Sequence, residues 1–290
     1  METGIRIYSG FFTLLENGEV YMEECLNLLK EKIADADMVL VGLGEEFGYT
    51  EKQIYENDKY QTFFSELSEE NEWLLPYFYS KLIELEIGET AYYNLSKLLK
   101  DKNYFIISLR TDDVIYKEEF RFAKERIVTP CGGVRKLQCE KNCEDKVYDI
   151  PEELYKKYIP AVASSVSLRR QIEICTKKIP VLKCQNCGAA LVFNRIGVEK
   201  YCEAEYLPMW EKYTKWLQGT LNHKLCILEL GVGMKYPSVI RWPFEKMAYF
   251  NNKASFFRIH QKLYHLTEEL KGKGWAIAQN PVEFLTNSFE

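Results

Sequence analysis

Apolar runs alternate with longer amphipathic stretches along most of the chain. Between Glu19 and Ala36 the apolar residues recur at helical spacing, and Met38–Gly42 follows directly as a short buried strand closed by glycine. Three more buried strands are predicted from similar apolar runs, at Tyr104–Leu109, Leu225–Leu230 and Ser255–Ile259. Strands that alternate with helices predict an α/β protein with a mostly parallel sheet.

The remaining amphipathic stretches predict further helices. Trp73–Lys100 is predicted as a helix in two pieces, with breaks near Pro76 and Gly88. Leu207–Leu221 carries an aromatic stripe at helical spacing, and a last helix is predicted at Leu266–Lys271. Glycine follows the apolar run in two of the strands. This pattern is typical of a doubly wound sheet, which binds ligands at the carboxyl ends of its strands.

The composition is that of an ordinary globular protein, and it limits the kinds of partner that we expect. The 290 residues suffice for one large α/β domain, or for a large domain with a smaller one. The formal net charge is -5 and no dense run of Lys and Arg occurs, so we expect no nucleic-acid partner. No apolar run approaches the roughly 20 residues that span a bilayer, and Met1–Gly4 does not open a secretory signal. We therefore expect a cytoplasmic protein with no membrane partner.

Two close pairs of cysteines lie where the alternation of strands and helices breaks, between residues 130 and 194. In a cytoplasmic protein such thiols are metal ligands or free side chains rather than disulfides. Zinc takes four thiolates in a tetrahedron, and each short pair supplies one edge from a tight turn. Gly188 follows the second pair, where such a turn often needs positive φ. The pattern predicts a zinc site, with four unrelated buried thiols as the alternative; the four ligands are Cys139, Cys143, Cys184 and Cys187.

Four protein ligands leave zinc no open position, so we expect the metal to stabilise a small module rather than to catalyse. We predict a zinc-binding module at residues 131–195, with helical residues in Pro151–Lys178, inserted into a discontinuous Rossmann-like domain at 1–130 and 196–290. The cysteines without a partner at ligand spacing are predicted to be small apolar fillers: Cys25, Cys175, Cys202 and Cys226.

Glycine-rich turns and polar residues after the predicted strands carry a resemblance to a known family. They occur in the segments Met38–Gly44, Ile106–Asp112 and Leu228–Gly233, and Cys131-Gly132 precedes the first cysteine pair. With the zinc module late in the chain, this order resembles the sirtuin family, most closely the macrodomain-linked sirtuins of bacteria. The resemblance covers roughly residues 30 to 266.

The resemblance implies a cofactor and a partner. Sirtuins bind NAD, so NAD or ADP-ribose is the expected ligand, and the macrodomain-linked branch transfers ADP-ribose to a lipoyl carrier protein. The counterpart of Asp112 binds the nicotinamide carboxamide, and His260 stands where the family has the Asn that holds the adenosine ribose. The glycine turns that would hold NAD contain Gly42, Gly44, Gly231 and Gly233.

Three departures from the family fall at the catalytic positions and at the phosphate-binding turn. Arg110 replaces the Asn beside the nicotinamide ribose, and Cys131 replaces the catalytic His, where the macrodomain-linked branch carries Gln. Glu45 and Glu46 follow Gly44, where the family has small residues. A carboxylate about 4 Å from a phosphate is repelled by about 4 kcal/mol at an effective dielectric constant of 20.

These departures leave three hypotheses. The protein is an NAD-dependent ADP-ribosyltransferase or deacylase, or it is a degenerate sirtuin-like protein that keeps the fold for binding. In the degenerate case we predict a salt bridge between Arg110 and the Glu45–Glu46 pair, which would fill the nicotinamide end of the site. In the third hypothesis Arg110 holds a phosphate or carboxylate of a different nucleotide. We favour the degenerate binding protein.

Other polar residues have a structural interpretation beside the functional one. Cys131 is an inert buried thiol, or a reactive thiolate if Arg135 or Lys136 lowers its pKa. The pair Asp112-Asp113 is a ligand site or a helix cap. The three histidines lack spaced partners and are expected to be structural or surface residues rather than catalytic: His223, His260 and His265.

Overall fold

A computed structural model describes residues 12–13, 18–87, 89–151 and 179–287, with side chains described from residue 23 onward. The predicted break at Gly88, the helical stretch predicted beyond Pro151 and the filler Cys175 lie outside these ranges. Within them, no helix has both the length and the apolar character that crossing a membrane requires.

Ten strands are described, and they form two sheets. In chain order they are β1 (Phe12–Thr13), β2 (Met38–Leu43), β3 (Asn103–Ser108), β4 (Ile127–Val128), β5 (Gly132–Cys139), β6 (Val147–Asp149), β7 (Leu191–Arg195), β8 (Leu225–Leu230), β9 (Ser255–Ile259) and β10 (Gly274–Ile277). The large sheet has seven parallel strands in the order β1-β10-β9-β8-β2-β3-β4. The prediction of a mostly parallel α/β sheet is confirmed.

Strands β2 and β8 form the centre of the large sheet. They pair from Met38↔Leu225 to Leu43↔Leu230, and every residue of both strands is buried. Apolar side chains along β2 alternate between two cores, because successive residues of a strand point to opposite faces. Val39 packs in the core on one face and Leu40 in the core on the other. A continuous apolar run is therefore what a central parallel strand requires.

Eight α-helices are described. They are α1 (Gly18–Asp35), α2 (Glu51–Tyr55), α3 (Asp58–Glu66), α4 (Leu75–Ile87), α5 (Thr90–Leu99), α6 (Leu207–Gln218), α7 (Arg241–Phe250) and α8 (Pro281–Thr286). Pro76 lies in the first turn of α4, where a proline without an N–H is tolerated. The helix predicted at Leu266–Lys271 is wrong: only a 3-10 turn forms, at Glu268–Leu270.

The small sheet consists of three antiparallel strands in the order β6-β5-β7 and carries the cysteine pairs at its end. Two contacts attach it to the rest of the protein. Asp113 Oδ2 accepts the backbone N–H groups of Val134 and Arg135, and Arg195 forms an ion pair with Glu51 at 2.5 Å. The small sheet is thus held against the carboxyl edge of the large one.

The chain reverses its winding direction between β2 and β8, and at this point the two glycine turns touch. Gly44 N–H donates to Leu230 at 2.8 Å, and Glu46 N–H donates to Gly231 at 3.0 Å. A Cβ on Gly44 would lie 2.0 Å from the Gly231 carbonyl oxygen. Only glycine permits this approach, which forms a crevice at the topological switch point where doubly wound sheets bind ligands.

We expect Gly44→Ala to destabilise the protein by about 3 kcal/mol or more, since its methyl group would collide with main-chain atoms that have no room to move. Gly272→Ala is the control. Gly272 has φ +83° and no atom within 4 Å of the place where a methyl group would stand, so that change reports only the strain of a left-handed residue, about 1 kcal/mol. Urea unfolding of both variants measures the difference, and equal losses would contradict the close packing of the two turns.

Candidate functional site

The turn after β2 puts two carboxylates into the crevice. The Oε1 atoms of Glu45 and Glu46 lie 2.6 and 3.1 Å from where a Cβ on Gly233 would stand, so the carboxylates sit side by side over the second glycine turn. Glu45 Oε1 accepts the backbone N–H of Lys235 at 3.2 Å. An amide that a phosphate-binding turn would offer to its ligand is therefore taken by the protein's own carboxylate.

His260 lies at the end of β9 on the same edge. Its side chain is only 2% exposed, and its Nδ1 atom accepts the N–H groups of Lys262 and Leu263, each at 3.0 Å. Nε2 lies 3.4 Å from Oε2 of Glu46 without forming a hydrogen bond. Burial lowers the pKa of His260 below its usual value, against the opposing effect of the Glu46 carboxylate. A structural role was expected for this histidine, yet its ring also faces the crevice.

The predicted salt bridge between Arg110 and the Glu45–Glu46 carboxylates is wrong. Arg110 is buried and pairs instead with Asp112, whose Oδ2 lies 2.5 Å from its guanidinium. The turn after β2 that carries Glu45 and Glu46 is called the acidic turn here. The guanidinium contacts it through main-chain oxygens: it donates to the Glu45 carbonyl at 3.3 Å and to the Tyr49 carbonyl at 2.8 Å. Asp112 is two residues from Arg110 on the same loop, so it can pair with the guanidinium without any rearrangement of the turn that carries Glu45 and Glu46.

The Arg110–Asp112 pair engages both side chains with each other and with the main chain. Asp112 Oδ1 accepts the N–H of Val114 at 3.0 Å, and its Oδ2 is held by Arg110. Desolvation alone would lower the pKa of Arg110, but Asp112 together with Tyr92 and Glu51 outweighs it, and the net shift is upward. With its side chain only 4% exposed, the guanidinium is not presented to a phosphate, which argues against the third hypothesis.

Cys131 precedes β5 and is buried near Glu45. Burial raises the pKa of its thiol to about 12, and the Glu45 carboxylate adds to the shift. The cations proposed to activate it are engaged elsewhere, because Arg135 pairs with Asp113 and Glu205, and Lys136 pairs with Asp149. The inert thiol is therefore the better of the two interpretations.

A buried ion cluster behind the crevice was missed in the sequence. Glu229 in β8 is fully buried, and both of its oxygens bind the Arg258 guanidinium of β9, at 2.6 and 3.0 Å. Arg241 lies 3.6 Å from the same carboxylate and donates to the Val232 carbonyl at 2.7 Å. Burial raises the pKa of Glu229, opposed by Arg258. The sequence does contain a signal for this cluster: a charged residue lies inside each of two apolar strands, Glu229 in β8 and Arg258 in β9.

The four predicted zinc ligands come together at the end of the small sheet. Their sulfur atoms all lie within 4.8 Å of one another, with Cys139–Cys187 and Cys143–Cys184 each at 3.5 Å. Tight turns present the sulfurs, and Gly188 has φ +72° as expected for such a turn. The backbone N–H of Cys187 lowers the pKa of the Cys184 thiol to about 6.

The donor set fits zinc. Four thiolates at about 2.3 Å from a central Zn²⁺ stand about 3.8 Å apart, close to the separations found here. Two of the cysteines are buried and two are exposed, so the cluster lies at the surface of the small sheet. Among the described residues, no other group of cysteine, histidine and carboxylate side chains converges in this way.

The remaining histidines and cysteines have other contacts. His223 is exposed and lies 3.4 Å from Asp37, and His265 stacks on Tyr264 with ring centroids 4.2 Å apart. The cysteines described outside the cluster and away from the crevice are buried: Cys25, Cys202 and Cys226.

Solved structures with the same arrangement identify the fold. A Sir2 homologue in complex with NAD superposes with a TM-score of 0.53 at 12% identity, over 90% of this chain and 91% of that chain. A Sir2 homologue variant in complex with ADP-ribose gives 0.53 at 14% identity, over 90% and 94%. The chain has the sirtuin fold. The resemblance drawn from the glycine turns and the cysteine pairs is confirmed at this level.

Similar sequences belong to ADP-ribosyltransferases. A protein ADP-ribosyltransferase of Staphylococcus aureus is 22% identical over 268 residues, which span 84% of this chain and 80% of that protein. A probable bifunctional ADP-ribose hydrolase/ADP-ribosyltransferase of Fusarium oxysporum f. sp. cubense is 25% identical over 245 residues. The chain matches only 40% of the length of the fungal protein. No family model matches the chain.

We expect Cys131 to resist alkylation in the folded protein. A thiol with a pKa of about 12 is almost entirely protonated at pH 8, and only the thiolate reacts with iodoacetamide. Labelling should be at least about 100-fold slower than in urea-unfolded protein, measured on the Cys131 peptide by mass spectrometry. If Cys131 in the native protein is labelled as fast as in the unfolded protein, the interpretation of Cys131 as a reactive thiolate is the correct one.

We expect the purified protein to contain one zinc ion per chain, and chelation to lower its melting temperature, because the module loses its central cross-link. Cys187→Ser should abolish stoichiometric zinc. Cys226→Ser is the matched control, since it also removes a sulfur but from a buried strand far from the cluster in sequence. Elemental analysis decides the matter, and zinc retained by Cys187→Ser would exclude this site.

Proposed function

We propose that this protein is a zinc-stabilised binding protein of the sirtuin fold, whose nucleotide-type crevice does not turn over NAD. The proposal rests on the ion pair between Arg110 and Asp112. This pair engages the Asp112 carboxylate, which the resemblance assigns to nicotinamide binding. NAD cleavage needs the nicotinamide held and its ribose ionised. Neither a saturated Asp112 nor a protonated Cys131 thiol supplies those roles.

The acidic turn supports the same proposal. Glu45 and Glu46 bring up to two negative charges to the place where the resemblance puts a diphosphate. Repulsion of about 4 kcal/mol between one carboxylate and a nearby phosphate would lower the affinity for a diphosphate by up to about a thousandfold. The Glu46 side chain is 49% exposed, so solvent screens a large part of its share, and we expect the whole effect to be about tenfold to a hundredfold.

The second candidate is an active NAD-dependent ADP-ribosyltransferase acting on a protein, with a lipoyl carrier protein as the acceptor that the resemblance implies. The names of the two relatives favour it, at 22% and 25% identity. It requires Arg110 to leave Asp112 when NAD and the acceptor bind. That rearrangement would break a buried pair and two hydrogen bonds to main-chain oxygens, which carries a cost of several kcal/mol.

We expect no release of nicotinamide above the protein-free rate when the zinc-loaded protein is incubated with NAD, with or without a lipoyl carrier protein. Chromatography of free nicotinamide gives the measurement. Release in the presence of the carrier alone would establish the transferase, and release without it would establish NAD hydrolysis. Either result ends the proposal of a non-catalytic protein.

We also expect the double variant Glu45→Gln/Glu46→Gln to bind ADP-ribose at least about tenfold more tightly than the wild type, because it removes the repelled charges and keeps the shape of the turn. Glu66→Gln/Glu211→Gln is the control, with the same change of net charge on exposed helices. Isothermal titration measures both. Equal gains in the two variants would mean that the effect is one of net charge and not of the crevice.

A further inference from the structure

The helix α7 exposes large apolar side chains on the side that faces away from the sheet. Its inner side contributes Phe244 to the core, whereas Trp242, Tyr249 and Phe250 are 55, 50 and 64% exposed. An α-helix turns by about 100° per residue, so these three side chains and Lys246 lie within an arc of about 100°. We call Trp242, Lys246, Tyr249 and Phe250 the outer face of α7.

The loop before β8 continues this apolar surface. The side chain of Asn251, at the end of α7, donates to the carbonyls of Thr220 and His223 at 3.2 and 3.1 Å. Leu221 lies between these two residues and is 64% exposed. Single exposed apolar side chains are normal, but a group of them at one place marks a surface that binds a partner.

The charge of this part of the chain is opposite to that of the whole protein. Residues 241–273, from the start of α7 to the residue before β10, contain seven Lys or Arg against three Glu, a formal charge of +4 in a chain of -5. Glu245 is not free to meet a partner, because it forms an ion pair with Arg258 at 2.8 Å. The exposed carboxylates of the stretch are those of Glu268 and Glu269. This surface is therefore positive although the protein is acidic.

Three lysines lie in or beside the outer face of α7. Lys246 belongs to it. The Nζ atom of Lys273 donates to the Tyr249 carbonyl at 2.9 Å, and that of Lys253 donates to the Asn222 carbonyl at 2.9 Å. An apolar centre with positive charges around it is complementary to a partner surface that is apolar and surrounded by carboxylates.

The chemistry of the surface favours a protein over the other anionic partners. The two arginines of the stretch, which would suit phosphates, are buried and held by Glu229: Arg241 is 7% and Arg258 is 1% exposed. Helices that lie on membranes insert their apolar side into the lipid, whereas the inner apolar side of α7 is packed in the core. Aromatic side chains such as those of Trp and Tyr supply much of the binding energy at protein interfaces.

We propose that the outer face of α7 is the docking surface for an acidic protein partner, whose contact surface has carboxylates around an apolar groove. The proposal goes beyond the proposed function and does not depend on whether NAD is cleaved. Two positive faces repel each other, so a symmetric pair of copies of this chain is not the expected occupant.

Fluorescence anisotropy with labelled probes and the zinc-loaded protein tests the charge and the class of the partner. The probes are two helical peptides with the same stripe of leucines, one otherwise rich in glutamate and the other in lysine. We expect the acidic peptide to bind at least about tenfold more tightly than the basic one, and its affinity to fall with added salt. No binding of the acidic peptide would overturn the proposal. Tighter binding of a single-stranded oligonucleotide or of phosphatidylserine vesicles would also overturn it.

The variant Trp242→Ser/Phe250→Ser tests the place. It should weaken the acidic peptide at least about tenfold, because it removes the apolar centre, and should keep the melting temperature, because both side chains are exposed. Tyr55→Ser/Tyr93→Ser is the matched control, since it removes two aromatic side chains that are 53 and 48% exposed on α2 and α5. An equal loss in both variants would contradict a site on α7.

The variant Lys246→Gln/Lys253→Gln tests the positive charges. It should weaken the acidic peptide and reduce the salt dependence of its binding, whereas the control Lys52→Gln/Lys100→Gln, on exposed positions elsewhere, should change neither. Light scattering of the protein alone gives the last arm. A dimer that Trp242→Ser/Phe250→Ser converts to a monomer would make a second copy the occupant and overturn the acidic partner.

Discussion

The buried pair of Arg110 and Asp112 is the interaction on which the character of this crevice depends. A guanidinium cannot shed its charge, so its burial requires a carboxylate and further acceptors around it. The chain supplies Asp112 from the same loop and two main-chain carbonyls from the turn after β2. That arrangement connects the turn after β2 to the loop after β3.

The two sides of the crevice differ in how their polar groups are satisfied. At the end of β3 the polar groups are saturated among themselves, whereas Glu45 Oε2 after β2 and Nε2 of His260 after β9 have no hydrogen-bond partner among the described residues. Buried, unsatisfied polar atoms are costly and are rarely kept without a use. One side of the crevice is thus closed by its own ion pair, and the other keeps two buried polar atoms without partners among the described residues.

Much of the fold and part of the site follow from local patterns in the sequence. Apolar runs predict the central strands because parallel strands are buried on both faces, and the cysteine spacing predicts a cluster because zinc constrains its ligands tightly. The partner of Arg110 was mispredicted. Sequence patterns place a charge at a strand end but do not say which of three nearby carboxylates has the geometry to reach it. The Glu229–Arg258 pair was missed because each residue alone looks like an exception in an apolar strand.

That last pair has a consequence for how the sheet assembles. Glu229 and Arg258 are directly opposite in the register of β8 and β9. Sliding either strand by one residue would leave a carboxylate and a guanidinium facing hydrocarbon on opposite sides, and an uncompensated buried charge costs about 3 to 5 kcal/mol. The pair itself contributes little net stability, but it penalises every misaligned sheet. The same register pairs Leu230 with Ile259, so its alignment also fixes how the Gly231 turn lies relative to the loop that begins at His260.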